Sequence, residues 1–106
     1  MANDPTTLIL TSLADGPKHG YALQQDIEAF AGVTLGPGTL YGAISRLEQQ
    51  QLIEATDNAG RRRPYKLTET GAEALQTTLD EMAAILGAGR KRLSATPRVA
   101  LVGARA

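Results

Sequence analysis

The sequence predicts a mainly α-helical fold with one small β-hairpin and one long C-terminal helix. Three apolar-periodic segments fill the first half of the chain, a hairpin pattern follows them, and a long helical repeat begins near residue 69. This order of elements is that of a winged helix-turn-helix, in which the hairpin is the wing. A chain of 106 residues has room for one domain of modest size.

Two short helices are predicted before residue 33. Asp4 can cap a first helix that extends to Ala14. Gly16 and Pro17 then end it, because glycine permits a left-handed cap and proline cannot continue the hydrogen-bond ladder. A second helix is expected over residues 20–31, and its apolar face carries Leu23, Ile27 and Phe30.

A third helix is predicted to begin near Pro37 or Gly38, after a short bridging strand at residues 33–35. Its apolar face, which should be buried, carries Leu40, Ile44 and Leu47. Its opposite face has short or polar side chains that leave room for a rigid surface such as a DNA groove: Thr39, Gly42, Ser45 and Arg46. The same pattern also fits an ordinary amphipathic surface helix.

The β-hairpin is predicted from a change of period after the third helix. Residues 52–56 favour a strand, residues 57–60 a turn, and residues 62–68 a returning strand. Pro64 should lie at an edge position because it cannot donate to a ladder. The tip is then rich in basic side chains, namely Arg61, Arg62 and Arg63. Such a run is either a nucleic-acid contact or simply a solvated group of charges.

The last long helix begins at Thr68 or Thr70, both of which can cap it. Apolar or small residues then recur at alternating spacings of three and four, which is typical of a coiled-coil seam: Ala72, Leu75, Leu79, Met82, Leu86, Gly89 and Leu93. We expect the five large members, Leu75, Leu79, Met82, Leu86 and Leu93, to form a dimer interface. Packing of the seam within one subunit is the alternative.

The predicted organisation is therefore a DNA-binding domain over residues 1–68, a dimerisation helix over 69–93, and a tail over 94–106 of unknown role. The formal net charge is zero, so bulk electrostatics does not indicate a nucleic-acid partner. The local concentration of arginines on the hairpin does. The chain shows neither a membrane-spanning apolar run nor a signal peptide, so a soluble cytoplasmic protein is expected, with no membrane partner.

Catalysis has little support in the sequence. The chain has no cysteine and a single histidine, His19, so it offers no thiolate or paired imidazole for nucleophilic or metal chemistry. We expect a protein that is not an enzyme and that has no cofactor and no metal. The N–H groups at the start of the second helix are instead candidates to hold a DNA phosphate, at residues Lys18, His19, Gly20 and Tyr21.

An ordered set of short motifs resembles the PadR-like transcriptional regulators over about residues 6–93. The motifs are Leu8-Ile9-Leu10, residues 15–23, Gly38-Thr39-Leu40-Tyr41, Arg46-Leu47-Glu48, Leu52-Ile53 and residues 62–71. The resemblance implies a dimeric winged-helix repressor in which Tyr41 and its neighbours face DNA and the arginine-rich wing contacts the backbone. It also implies a small aromatic or drug-like effector that binds near the dimer interface.

Three departures from the family pattern limit this transfer. Gln51 stands where a glycine commonly precedes Leu-Ile, and Pro64 stands where an aromatic residue often precedes the tyrosine. The chain has no tryptophan, so effector binding by a stacked pair of indoles does not carry over.

The function predicted from the sequence is that of a homodimeric repressor on a pseudo-palindromic operator in double-stranded DNA. Arg46 would there either read a guanine edge or hold a phosphate. The rival prediction is a winged-helix module that binds protein and never reaches DNA, which the zero net charge favours.

Overall fold

The computed structural model describes residues 4–56 and 63–97. Their elements follow one another in the order α1 (Pro5–Leu13), α2 (Gly20–Ala31), α3 (Pro37–Gln49), β1 (Ile53–Ala55), β2 (Tyr65–Leu67) and α4 (Glu69–Ala95). This order confirms the predicted fold class, which is a mainly helical chain with a small hairpin and a long C-terminal helix. The chain divides into two compact units, the first ending at Gln76 and the second beginning at Thr77. The first turns of α4 thus belong to the first unit.

The core of the first unit lies where α1, α2 and α3 pack together and against the hairpin. Its buried side chains are almost all branched aliphatics, which give the unit an apolar interior: Leu8, Ile9, Leu10, Leu13, Leu23, Ile27, Leu35, Leu40, Ala43, Ile44, Leu47, Ile53 and Leu75. The predicted apolar faces of α2 and α3 are present, with one exception. Phe30 is 47% exposed, because the last turn of α2, residues 28–31, is uncovered throughout.

The link between α2 and α3 contains no strand, contrary to the prediction for residues 33–35. Gly32 ends α2 in the left-handed conformation, with φ of 68°. Leu35 is then buried as an irregular residue, and its carbonyl accepts a hydrogen bond of 2.8 Å from Gln24 Nε2. The backbone polar group is thus satisfied by a side chain of α2, so no partner strand is needed.

The hairpin pairs β1 with β2 antiparallel, with Glu54 opposite Lys66. The strands are shorter than predicted, and the predicted turn at residues 57–60 lies outside the described residues. The loop before α2 extends this pairing, because Lys18 N–H donates to Tyr65 O at 3.0 Å and Tyr65 N–H donates to Lys18 O at 2.8 Å. Pro64 adds no ladder donor, but its carbonyl accepts from Thr56 N at 2.8 Å.

The corner from α3 to α4 depends on the backbone conformation of Gln51, the cap at Thr68 and a close contact at Gly71. Gln51 has a φ of 62°, the left-handed region that favours glycine, at the position where the family pattern commonly has one. Thr68 caps α4, since its hydroxyl accepts from Gly71 N at 2.9 Å and donates to Gln51 O at 2.7 Å. Gly71 packs directly on the backbone of Leu52, where a Cβ would overlap the carbonyl. The alternative between Thr68 and Thr70 is thus decided for Thr68.

Candidate nucleic-acid interface

The polar face of α3 is the main candidate contact surface in the first unit. Thr39, Tyr41, Ser45 and Arg46 are exposed, and Gly42 is partly exposed. Leu40, Ile44 and Leu47 are each no more than 2% exposed on the opposite side. The predicted division of this helix into a buried face and an open face is therefore present. The open face carries no acidic side chain between residues 37 and 46.

The beginning of α3 presents uncapped backbone donors. Gly36 occupies the N-cap position without any side-chain cap, Pro37 follows it, and no acid stands in the first turn. Gly36 and Gly38 have open space where a Cβ would be. The positive end of the helix dipole is thus accessible to an anion at this point.

Tyr41 joins the start of α2 to α3. Its ring lies against Gly20, where a Cβ would come within 2.9 Å of Tyr41 Cζ, while 52% of the tyrosine is exposed. Gly20 itself is buried. The structure thus brings together two predicted contact residues, Gly20 and Tyr41, but Gly20 is buried and packs against the Tyr41 ring.

At the start of α2, His19 and Tyr21 differ in what they offer a ligand. His19 is the N-cap, and its Nδ1 accepts from Ala22 N at 3.4 Å. Tyr21 is 61% exposed, and its hydroxyl accepts from Gln25 Nε2 at 3.0 Å. The hydroxyl of Tyr21 keeps its own proton available for donation, whereas one nitrogen of His19 is used by the helix.

Lys18, which was predicted to help the start of α2 hold a phosphate, has its side chain turned to partners within the subunit. The side chain is only 17% exposed. Its Nζ donates to the Asp15 carboxylate and to Ser12 O, and it lies 3.9 Å from Asp26 Oδ2. The ammonium is thus engaged within the subunit. The same contact holds the pKa of the Asp15 carboxyl below its usual range, because Lys18 donates a hydrogen bond to the carboxylate and attracts its charge.

Of the three arginines predicted to contact DNA from the wing, one lies in the part of the chain that the structure describes. Arg63 is exposed beside Pro64, whereas the predicted contacts Arg61 and Arg62 lie outside the described residues. Lys66 on β2 is paired across the strands with Glu54 at 3.4 Å. Burial raises the pKa of the Tyr65 phenol, and the negative charge of Glu48 raises it further.

The predicted dimer residues fall into two groups along α4. Leu75 is 6% exposed and belongs to the core of the first unit. Leu79, Leu86 and Leu93 are between 40% and 62% exposed, and Met82 is partly exposed. Sequence reasoning missed Ile85, which is 73% exposed. Its spacing of three from Met82 was the available signal, but the alternating repeat favoured Leu86 instead.

Fold and site together define a winged helix-turn-helix protein with an open third helix. Residues 9–77 match the model of the transcriptional regulator PadR-like family. The chain therefore belongs to that family, as the motifs indicated, and the family is one of regulators rather than enzymes. A PadR family transcription regulator from Clostridium difficile superposes with a TM-score of 0.74 at 26% identity, covering 84% of this chain and 97% of that one.

Two curated relatives are much longer than this chain. An uncharacterized 37.1 kDa protein in transposon Tn4556 of Streptomyces fradiae is 48% identical over 85 residues, which are 80% of this chain and 25% of that protein. The transcriptional regulator YqjI of Escherichia coli K12 is 31% identical over 77 residues, which are 71% of this chain and 37% of that protein. The chain thus matches a quarter to about two fifths of these relatives.

No helix in the described part of the chain combines the length and apolar character that a membrane crossing requires.

Proposed function

We propose that this protein is a homodimeric DNA-binding transcriptional repressor. The observation that carries the proposal is the open face of α3, with Thr39, Tyr41, Ser45 and Arg46 exposed. A recognition helix of this kind enters the major groove in helix-turn-helix proteins. Each subunit would place this face in one of two successive major grooves of a pseudo-palindromic double-stranded operator. We propose that the protein acts in the cytoplasm.

The backbone contacts are proposed to come from three places around α3. Arg63 and the neighbouring Arg61 and Arg62 of the wing supply cations. The uncapped start of α3 and the region around His19 and Tyr21 supply backbone or hydroxyl donors. These local donors let a chain of zero net charge bind a polyanion.

A second copy of the chain is the proposed partner of the distal part of α4. All acidic residues of α4 precede residue 82, and all basic residues follow residue 89: Glu69, Glu73, Asp80, Glu81, Arg90, Lys91 and Arg92. Leu79 and Leu93 lie seven residues on either side of Leu86, and Glu81 and Lys91 lie five on either side. An antiparallel pair centred on Leu86 would therefore match leucine with leucine and acid with base.

Charge reversal tests this pairing. In an antiparallel dimer, Glu81→Lys or Lys91→Glu alone should raise the dimer dissociation constant about threefold to tenfold, since exposed ion pairs contribute about 0.2–1 kcal/mol each. The double variant should restore it. Sedimentation measures all three. The same charge order also suits the helix dipole. If the charges act only through that dipole, the double variant should lose helicity and its dimer dissociation constant should not return to the wild-type value.

The DNA part is tested with Arg46→Ala. If Arg46 reads a base, the variant should lose about 1–3 kcal/mol of binding to its preferred duplex and little to others. If it holds a phosphate, the loss should be uniform across sequences, and the slope of log affinity against log salt should fall by about one. Electrophoretic titration of duplexes selected from genomic fragments distinguishes the two. Wild-type protein that binds no fragment would leave the rival function, a protein-interaction module.

We also propose that a small aromatic or drug-like effector modulates operator binding near the dimer interface. Its support is the likeness to the PadR-like family and the exposed apolar side chains of α4, including Ile85 and Leu86. A ligand that binds the folded dimer should raise the melting temperature in a concentration-dependent way. A panel of planar aromatic compounds that changes neither this temperature nor DNA affinity would refute the effector proposal.

A further inference from the structure

Lys18 stands at the centre of a small polar cluster within the first unit. Its ammonium donates to the Asp15 carboxylate and to Ser12 O, and it lies 3.9 Å from Asp26 Oδ2. Ser12 is 2% exposed, and its hydroxyl donates to Asp26 Oδ2 at 2.6 Å. The cluster thus connects the end of α1, the following loop and the middle of α2.

The backbone of Lys18 is hydrogen-bonded to the hairpin. Lys18 exchanges two hydrogen bonds with Tyr65, of 3.0 Å and 2.8 Å, and Tyr65 lies two residues from Arg63 in the wing. In the sheet, Tyr65 is also opposite Ala55. A single residue therefore links the helical core through its side chain and the wing through its main chain.

The charge balance of the cluster is unsuitable for a phosphate. One ammonium faces the carboxylates of Asp15 and Asp26, so the local sum is negative when all three groups are charged. The ammonium has three N–H donors; two are bonded, and the nearby Asp26 offers an acceptor toward the third. Moving Lys18 to a DNA phosphate would leave both carboxylates without their cation.

We propose that Lys18 is a positioning residue for the wing rather than a phosphate ligand. Its ammonium, held by Asp15, Asp26 and the Ser12 carbonyl, fixes the loop whose main chain pairs with Tyr65. The wing thereby keeps one position relative to the core of the first unit. This inference rests on the proposed function, since a fixed wing matters for DNA contact.

Asp26→Asn gives opposite results for the two roles. A phosphate-binding Lys18 would be released by loss of the competing carboxylate, so Asp26→Asn would tighten DNA binding. If Lys18 positions the wing, Asp26→Asn removes one of its partners and should weaken DNA binding about threefold or more. The probe is a random-sequence 30-base-pair duplex, titrated at several salt concentrations with the full chain.

Lys18→Met supplies the second arm of the test. It should weaken binding of the same duplex and leave the slope of log affinity against log salt unchanged, whereas removal of a phosphate contact should lower that slope by about one. The Tyr65 amide should exchange with solvent about tenfold faster, because its acceptor, Lys18 O, is then on a loosened loop. Lys66→Met is the matched control, since Lys66 is ion-paired with Glu54 across the strands and its loss should leave Tyr65 exchange unchanged.

The amide measurement keeps this inference separate from the proposed function. If wild-type protein binds no duplex, the proposed function fails, but faster Tyr65 exchange in folded Asp26→Asn still supports the positioning role. If Lys18→Met does not fold, Asp26→Asn, which keeps the side-chain size, carries both readouts. Unchanged Tyr65 exchange in Asp26→Asn, or tighter DNA binding by it, would overturn the proposal.

Discussion

Helix α3 and the distal part of α4 both carry an apolar face, but the face of α3 is covered and that of α4 is exposed. Ile44 on α3 is 2% exposed, whereas Ile85 on α4 is 73% exposed. Burial of apolar surface is the main favourable contribution to folding. The first unit therefore has a buried apolar core and an exposed polar face on α3, while α4 beyond Gln76 presents exposed apolar side chains, which we propose that a second copy covers.

The largest expected difference between the two helices is in the free energy of unfolding when the same substitution is made in each. Ile44→Ala should lower the free energy of unfolding by about 2–4 kcal/mol, because it removes a buried side chain and leaves a cavity. Ile85→Ala should change the unfolding of dilute monomer by less than about 0.5 kcal/mol. Urea denaturation monitored by circular dichroism gives both values. Equal losses at the two positions would mean that Ile85 is already covered within its own chain.

A pair of glycines sharpens the comparison. Gly20→Ala should destabilise by about 1–3 kcal/mol, because a Cβ would overlap the Tyr41 ring and the ring must move. Gly87→Ala meets open space in α4 and should stabilise by up to about 1 kcal/mol through helix propensity. Thermal unfolding measures both variants. A stable Gly20→Ala protein with unchanged DNA affinity would contradict the packing of Tyr41 on α2.

A third pair examines the backbone at the end of α3. Gln51→Gly should stabilise the first unit by about 0.5–1 kcal/mol, because Gln51 has a φ of 62° and glycine adopts this conformation at low cost. Gln50→Gly should destabilise by about 0.5–1 kcal/mol, because Gln50 has a φ of −82° and gains nothing. Denaturant midpoints of the two variants should shift in opposite directions. A shift in the same direction would contradict backbone strain at Gln51.

The smallest expected effect is on the titration of Asp15, an exposed group. Its pKa is lowered in the folded state by Lys18, so the interaction favours folding above the unfolded pKa of about 3.8 and is lost as pH falls through the folded value. NMR titration of the carboxyl should show the lowered pKa in wild type and a return toward the usual range in Lys18→Met. An unshifted wild-type value would contradict the contact.

Periodicity predicted most of this fold, because α2 and α3 each have one clear apolar face. It failed for Phe30, since spacing alone does not show where the covering elements end, and for residues 33–35, where a Gln24 side chain replaces a partner strand.

The site was predicted less completely than the fold. The open face of α3 followed from its residue types, but the ion pairs of Lys18 depend on Asp26, which is distant in sequence. Ile85 and Leu86 are both exposed, but the alternating spacing of three and four predicted only Leu86.

Footprinting of the protein on a selected genomic duplex tests the central claim most directly. Two copies of α3 in successive major grooves should protect two segments whose centres are about 10–10.5 base pairs apart, with protection lost in Arg46→Ala. One protected segment, or protection confined to the minor groove, would contradict a dimer that presents paired recognition helices.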